Sequence, residues 1–159
     1  MTDAPILIID GLVSRPRTFT PRDLDELPEE GKVPDVSRYH PNRRGSGVTL
    51  EAILSEVGPK PEANYLTLHA DRDDFHVSIP LNAVRGEGIV VYRLGERELD
   101  LKDGGPVRFL IKDPTACHSS ELDDCANVKF LSRIEFSERK GLDTRPTTED
   151  EHAALHEGE

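Results

Sequence analysis

Residues 65–79 read YLTLHADRDDFHVSI and decide the fold class of this chain. Two runs of strand-forming residues, 65–69 and 75–79, flank an acidic connection that is rich in turn-forming residues. The pattern predicts a pair of neighbouring strands. His69 and His76 fall at or near the strand ends, beside three aspartates. That group suits either a divalent-cation site or a solvated turn, and we favour the solvated turn.

Strands outnumber helices along the rest of the chain. Apolar segments predict further strands at 6–9, 89–94, 98–99, 107–111 and 128–136, and cap and periodicity signals predict short helices at 20–27, 48–58 and 81–84. Residues 28–47 are expected to form a long loop, or a loop around one short strand at 33–39. The predicted class is α+β, with mixed β-sheets and few short helices.

Length and charge limit the classes of function. A chain of 159 residues has the size of one domain, which we expect at 1–136, followed by an acidic, mobile tail at 137–159. The net charge of −11 argues against general affinity for nucleic acid or for an anionic membrane. No apolar run is long enough to cross a bilayer and the N-terminus lacks a signal-peptide pattern, so we expect a cytoplasmic protein.

Several segments, taken in order, resemble the oxidoreductase molybdopterin-binding domain family, with its sulfite-oxidase-type fold. They are IDGLVSRP (9–16) with LDELP (24–28), GVTL (47–50), LSEVG (54–58), DGGPVR (103–108) and VKFLSRI (128–134). Each segment alone is weak evidence. Their common order over residues 6–136 identifies the chain as a small, stand-alone member of the family.

The resemblance implies binding residues for a pterin cofactor. The family arginine and lysine that lie near the pterin and its phosphate match Arg108 and Lys129, and a guanidinium and an ammonium are natural partners for a phosphate. Arg43 and Arg44, in the basic segment 38–47 before a predicted helix, offer a second anion-binding group. The alternatives are exposed strand residues for the first pair and a solvated surface loop for the second.

Two departures from the family pattern put catalysis in question. The cysteine that binds molybdenum in the family should fall near residues 39–41, which read Tyr-His-Pro, and the family histidine before the glycine is Asp103, whose charge repels a phosphate. One hypothesis is an oxidoreductase-like domain that binds molybdopterin or another small anion, with an unidentified electron-transfer protein as partner. The other is a degenerate, non-catalytic binding or interaction module of the same fold.

Two thiols allow a different metal. Cys117, His118 and Cys125 could supply three ligands to zinc or copper. The paired spacing of common zinc sites is missing, so two ordinary thiols are the favoured interpretation.

Overall fold

The fold is described from a computed structural model, which covers residues 4–39, 44–111 and 128–141. Ten strands and three α-helices form in these ranges. The strands are β1 (Leu7–Gly11), β2 (Arg17–Phe19), β3 (Lys32–Val33), β4 (Ser46–Thr49), β5 (Tyr65–Ala70), β6 (Phe75–Pro80), β7 (Gly88–Leu94), β8 (Arg97–Glu98), β9 (Arg108–Ile111) and β10 (Arg133–Ser137). The helices are α1 (Pro21–Asp25), α2 (Leu50–Val57) and α3 (Leu81–Val84). None of the helices in the described ranges has the length and hydrophobicity needed to span a membrane.

The strands form two five-stranded sheets. The first has the order β2-β1-β10-β5-β6, in which only β1 and β10 run parallel. The second has the order β3-β4-β7-β8, with β9 also paired to β7. Mixed sheets with few short helices confirm the predicted α+β class.

The predicted starts of α1 and α2 and the predicted end of α2 agree with the structure, whereas α1 ends at Asp25, two residues before its predicted end. Thr20 and Asp23 form a reciprocal capping box at the start of α1, with distances of 3.1 Å and 2.9 Å. Thr49 caps α2, whose apolar face is buried, and Gly58 ends it in the left-handed conformation at φ +61°. These ends are correct because cap hydrogen bonds join residues close in sequence.

The main core lies between the first sheet, α2 and one face of the second sheet. Side chains alternate along β7: Val90 and Tyr92 face this core, whereas Ile89 and Val91 join a smaller cluster with Val36. The second sheet is therefore covered on both faces. Within the first sheet, Arg133 of β10 contacts the neighbouring strand β1, because its Nε donates to both carboxylate oxygens of Asp10 at 2.9 Å and 3.1 Å.

Two sequence predictions need correction. Residues 128–136 do not form one strand: Val128 makes only an isolated bridge to Phe109, and Phe130 adopts a left-handed φ of +57°, so β10 begins at Arg133. Residues 28–47, expected as a long loop or as a loop around one strand at 33–39, contain β3 and the first two residues of β4, with a 3₁₀ turn at Val36–Arg38. Gly47 permits β4 because a β-carbon there would lie 1.9 Å from the carbonyl oxygen of Val90. Because β10 begins only at Arg133, Lys129 lies in an irregular turn instead of on a strand.

Candidate functional site

Gly104 is the point on which the predicted cofactor-binding residues converge. It ends the 3₁₀ turn Leu101–Asp103 with a left-handed φ of +92°. A β-carbon added to it would lie 3.0 Å from Nη1 of Arg108 and 3.1 Å from Cγ of Lys129. The missing side chain therefore lets both cations approach the turn. We call Arg44, Asp103, Arg108 and Lys129, around Gly104, the Gly104 cluster.

Arg108 and Lys129 reach the turn from different segments. Arg108 begins β9 and is buried, with its Nη1 donating to the carbonyl oxygen of Asp103 at 3.3 Å. Lys129 is half-buried and is held in place by its neighbours, because the Phe130 amide donates to the carbonyl oxygen of Gly104 at 2.8 Å. Backbone hydrogen bonds thus fix the segment that carries the lysine against the turn.

Arg44 joins the same cluster through Asp103. Its Nη2 and Nε donate to the two oxygens of that carboxylate at 2.8 Å and 3.3 Å, the forked geometry of an arginine–carboxylate pair. The hydrogen bond from Arg44 lowers the pKa of Asp103, and Asp103 in turn raises the pKa of the guanidinium. The acid at the position of the family histidine is therefore ionised and already holds an arginine.

A cleft opens beside Arg44. It has a volume of about 430 Å³ and is lined by Asp35, Ser37, Arg44, Ser46 and Leu94, among others. Its size falls within the range of small-molecule pockets, roughly 300–1,000 Å³. Arg108 and Lys129 are not among its lining residues, so of the three cations this cleft reaches Arg44 alone.

The other predicted site residues lie outside the described residues. These are Arg43, Cys117, His118 and Cys125, together with residues 142–159 of the predicted tail. Among the side chains that the structure does describe, no group of three or more histidine, cysteine, aspartate or glutamate residues is arranged to hold a metal ion.

The two histidines noted at the ends of the predicted strand pair form another group of ionisable side chains, whose contacts the sequence did not predict. His69 and His76 lie directly opposite each other on β5 and β6, and both are buried. Their Nδ1 atoms are 2.8 Å apart, while Nε2 of His69 lies 3.0 Å from Glu135 and Nε2 of His76 lies 3.0 Å from Asp74. We call these four residues the histidine chain. The predicted solvated turn does not describe the two imidazoles, and the pairing register of the hairpin was the signal that could have joined them.

Comparison with known proteins agrees with this fold. The family model for the oxidoreductase molybdopterin binding domain matches residues 42–144. Among solved structures, the fold is similar to the sulfane dehydrogenase SoxCD from Paracoccus pantotrophus, with a TM-score of 0.60 and 22% identity over 84% of this chain. The match covers 38% of the SoxCD chain. Comparison with curated protein sequences gives no match. The sulfite-oxidase-type fold expected from the sequence segments is confirmed.

Proposed function

Because this chain belongs to the oxidoreductase molybdopterin binding domain family, we propose that it binds a pterin-type cofactor or another small anion at the Gly104 cluster. The observation that carries the proposal is the approach of Arg108 and Lys129 to the bare face of Gly104. The two cations come from segments 21 residues apart and meet where a side chain is absent. A guanidinium and an ammonium placed together offer directional and point-charge recognition of a phosphate.

The cluster fits the phosphate-bearing end of such a cofactor. Arg108 would hold phosphate oxygens from a buried position, and Lys129 would add a second charge from the adjoining turn. When bound, a molybdenum pterin would supply two-electron redox chemistry. The described residues contain no thiolate for the metal, since both cysteines of the chain lie outside them. We therefore assign ligand binding and orientation to the cluster, and no redox step.

One observation favours the second candidate function, a non-catalytic binding module. The carboxylate of Asp103 occupies the fork of Arg44, so one of the predicted phosphate-binding arginines already has an anionic partner inside the protein. An internal carboxylate in place of a cofactor oxygen reduces the positive charge offered to a ligand. The fold and part of the anion site would then be kept for recognition instead of turnover.

Metal and pterin content separate these candidates. The full chain should be purified from cells that make molybdenum cofactor, then assayed for molybdenum, zinc and released pterin. Pterin without molybdenum supports the binding module, whereas molybdenum at near one atom per chain supports the oxidoreductase. Zinc would direct attention to Cys117, His118 and Cys125. Absence of pterin together with no measurable affinity for inorganic phosphate would contradict the proposed site.

Two variants test the assignment of the cations. Lys129→Met and Arg108→Met should each lower phosphate or pterin affinity by about tenfold or more, since hydrogen bonds to charged groups contribute about 1.5–3 kcal/mol. Lys60→Met, which removes an exposed lysine outside the cluster, is the matched control. Circular dichroism and thermal unfolding would establish that each variant is folded. Equal affinity in all three variants would remove the cluster from the binding site.

A further inference from the structure

We propose that His69 and His76 share one proton between their Nδ1 atoms, and that this proton makes the end of the β5–β6 hairpin sensitive to pH. The inference is independent of anion binding at the Gly104 cluster. It rests on the three contacts of the histidine chain, which run from Asp74 through the two imidazoles to Glu135 at 3.0, 2.8 and 3.0 Å.

Counting protons makes the argument. Each contact joins two electronegative atoms at hydrogen-bond distance, so each needs one hydrogen between them. Three contacts need three protons. Two neutral imidazoles bring only two, and ionised carboxylates bring none. The chain of contacts therefore contains one proton beyond the neutral pair, wherever along the chain it resides at a given moment.

The alternatives break a contact. If the two rings carry only two protons, the carboxylates attract both of them to the Nε2 atoms. The lone pairs of the two Nδ1 atoms then face each other across 2.8 Å. With four protons on the rings, two N–H groups face each other across the same gap. Either arrangement repels, and the rings are edge-to-face with their centroids 5.0 Å apart, so no stacking compensates. Of these states, only the one with three protons satisfies all three contacts.

Burial separates the shared proton from solvent while leaving it a route out. The His69 and His76 side chains are 11% and 9% exposed, whereas the carboxylates of Glu135 and Asp74 are 40% and 95% exposed. The two acids at the ends of the chain are in contact with water and would give the shared proton its route to solvent. Inside, a hydrogen bond is electrostatically stronger than in water, and an unmade one costs more.

Other charges also act on the histidine chain. Glu135 lies 3.6 Å from Nη2 of Arg133, which in turn contacts Asp10. The hydroxyl oxygen of Ser132 lies 2.9 Å from the carboxylate of Asp71 and 3.0 Å from the carbonyl oxygen of His69, and its single hydrogen is donated to one of the two. Besides Asp74, the charged groups of this region are therefore the carboxylates of Glu135, Asp10 and Asp71 and the guanidinium groups of Arg133 and Arg72.

The position of the chain gives its protonation a structural consequence. The turn that joins His69 to His76 carries Arg72, whose guanidinium carbon lies 5.1 Å from the centre of the Phe130 ring. Phe130 is hydrogen-bonded to Gly104 through its backbone. A change in the contact between the histidines therefore acts on the turn that carries Arg72. That turn packs beside the segment that carries Lys129.

The test uses the full chain labelled with ¹⁵N in its histidines. Ring-nitrogen spectra between about pH 5 and pH 9 should show three of the four nitrogens of this pair protonated over an intermediate range, with one proton lost at higher pH. Spectra in which both Nδ1 atoms lack a proton throughout, in folded protein, would overturn the proposal. So would tight binding of Zn²⁺ that displaces the Nδ1 resonances, because the two nitrogens would then be ligands.

Stability measurements give a second, independent readout. His76→Gln should lower the folding equilibrium constant by about tenfold in the intermediate range and by clearly less at alkaline pH, since the central contact there is already lost in the parent protein. Thr67→Val is the matched control. It removes a hydroxyl hydrogen bond of 3.3 Å to Ser78 on the same two strands, and its cost should not change with pH. A cost of His76→Gln that is equally independent of pH would refute proton sharing.

Discussion

The Gly104 cluster and the histidine chain each contain four ionisable side chains, but the charges of these side chains are balanced in different ways. The cluster contains three permanent cations and one carboxylate, assembled from the start of β9 and from irregular segments with left-handed residues at Gly104 and Phe130. The histidine chain contains two carboxylates and two imidazoles, assembled mainly on adjacent strands. The cations of the cluster are complementary to an anion from outside, whereas the histidine chain needs only a proton from water. The difference separates a candidate binding site from a structural, pH-sensitive element.

Replacing Gly104 with alanine should break the cluster and leave the histidine chain intact. The alanine would have to adopt a φ of +92°. Its β-carbon would lie 3.0 Å from Nη1 of Arg108 and 3.1 Å from Cγ of Lys129. A non-glycine residue held in such a conformation costs about 1–3 kcal/mol, and the displaced cations should weaken phosphate binding as well. Denaturant unfolding and phosphate titration measure the two effects.

Gly86→Ala is the matched control for that variant. Its β-carbon would meet nothing within 4 Å, and its φ lies outside the left-handed region. We expect a change within about 1 kcal/mol, in either direction. If Gly104→Ala had no larger effect on stability or on phosphate binding than this control, the bare turn would not be what admits the two cations.

Asp25→Asn tests the ion pair between Asp25 and Arg93, which, unlike the histidine chain, needs no additional proton. Asp25 links α1 to β7 by accepting from Tyr92 Oη at 2.6 Å and from Nε of Arg93 at 3.1 Å. Burial acts to raise the pKa of Asp25, but hydrogen bonds from Arg93 and Tyr92 outweigh it and the pKa is lowered. The variant should cost about 1 kcal/mol at neutral pH, at the low end for charged hydrogen bonds because the carboxylate is partly exposed.

The sign of the pH effect distinguishes the two systems. A carboxyl whose folded-state pKa lies below the ordinary value of about 3.9 stabilises the protein above that pH, and this stabilisation is lost as pH falls. The cost of Asp25→Asn should therefore shrink in acid, whereas the central contact of the histidine chain weakens toward alkaline pH. Unfolding free energies of parent and variant at about pH 7 and pH 3 check this. An undiminished cost in acid would mean that the carboxylate charge is not what matters.

Asp103→Asn should have the smallest effect, and its sign is opposite to that of the cation variants. Removing the carboxylate charge releases the strong hold on Arg44, so phosphate affinity should rise severalfold with little change in stability. Asp100→Asn, which changes a nearby acid that does not hydrogen-bond Arg44, is the control. Calorimetric titration at low ionic strength gives the clearest reading, because salt screens exposed charges. A fall in affinity would show that Asp103 helps to position the arginine for the ligand.

Much of the fold could be predicted because its signals are local. The capping box at Thr20 and Asp23, the glycine stop at Gly58 and the paired strands around residues 70–74 all depend on neighbours along the chain. The break in the predicted strand 128–136 could not be predicted, because Phe130 is held at positive φ by hydrogen bonding to Gly104, 26 residues away. The same contact places Lys129 in the site.

By itself, the sequence determined the α+β class, the family and the identity of the cations Arg108 and Lys129 as candidates, since motif order and capping need no knowledge of distant contacts. Only the tertiary structure decided which charges meet. It joined Arg44 to Asp103 across 59 residues and set the two Nδ1 atoms 2.8 Å apart. Coulombic and hydrogen-bond energies depend on distances between side chains, and those distances follow from strand register and turn geometry. Packing therefore decides whether a charged residue binds a ligand, pairs with a neighbouring side chain or shares a proton.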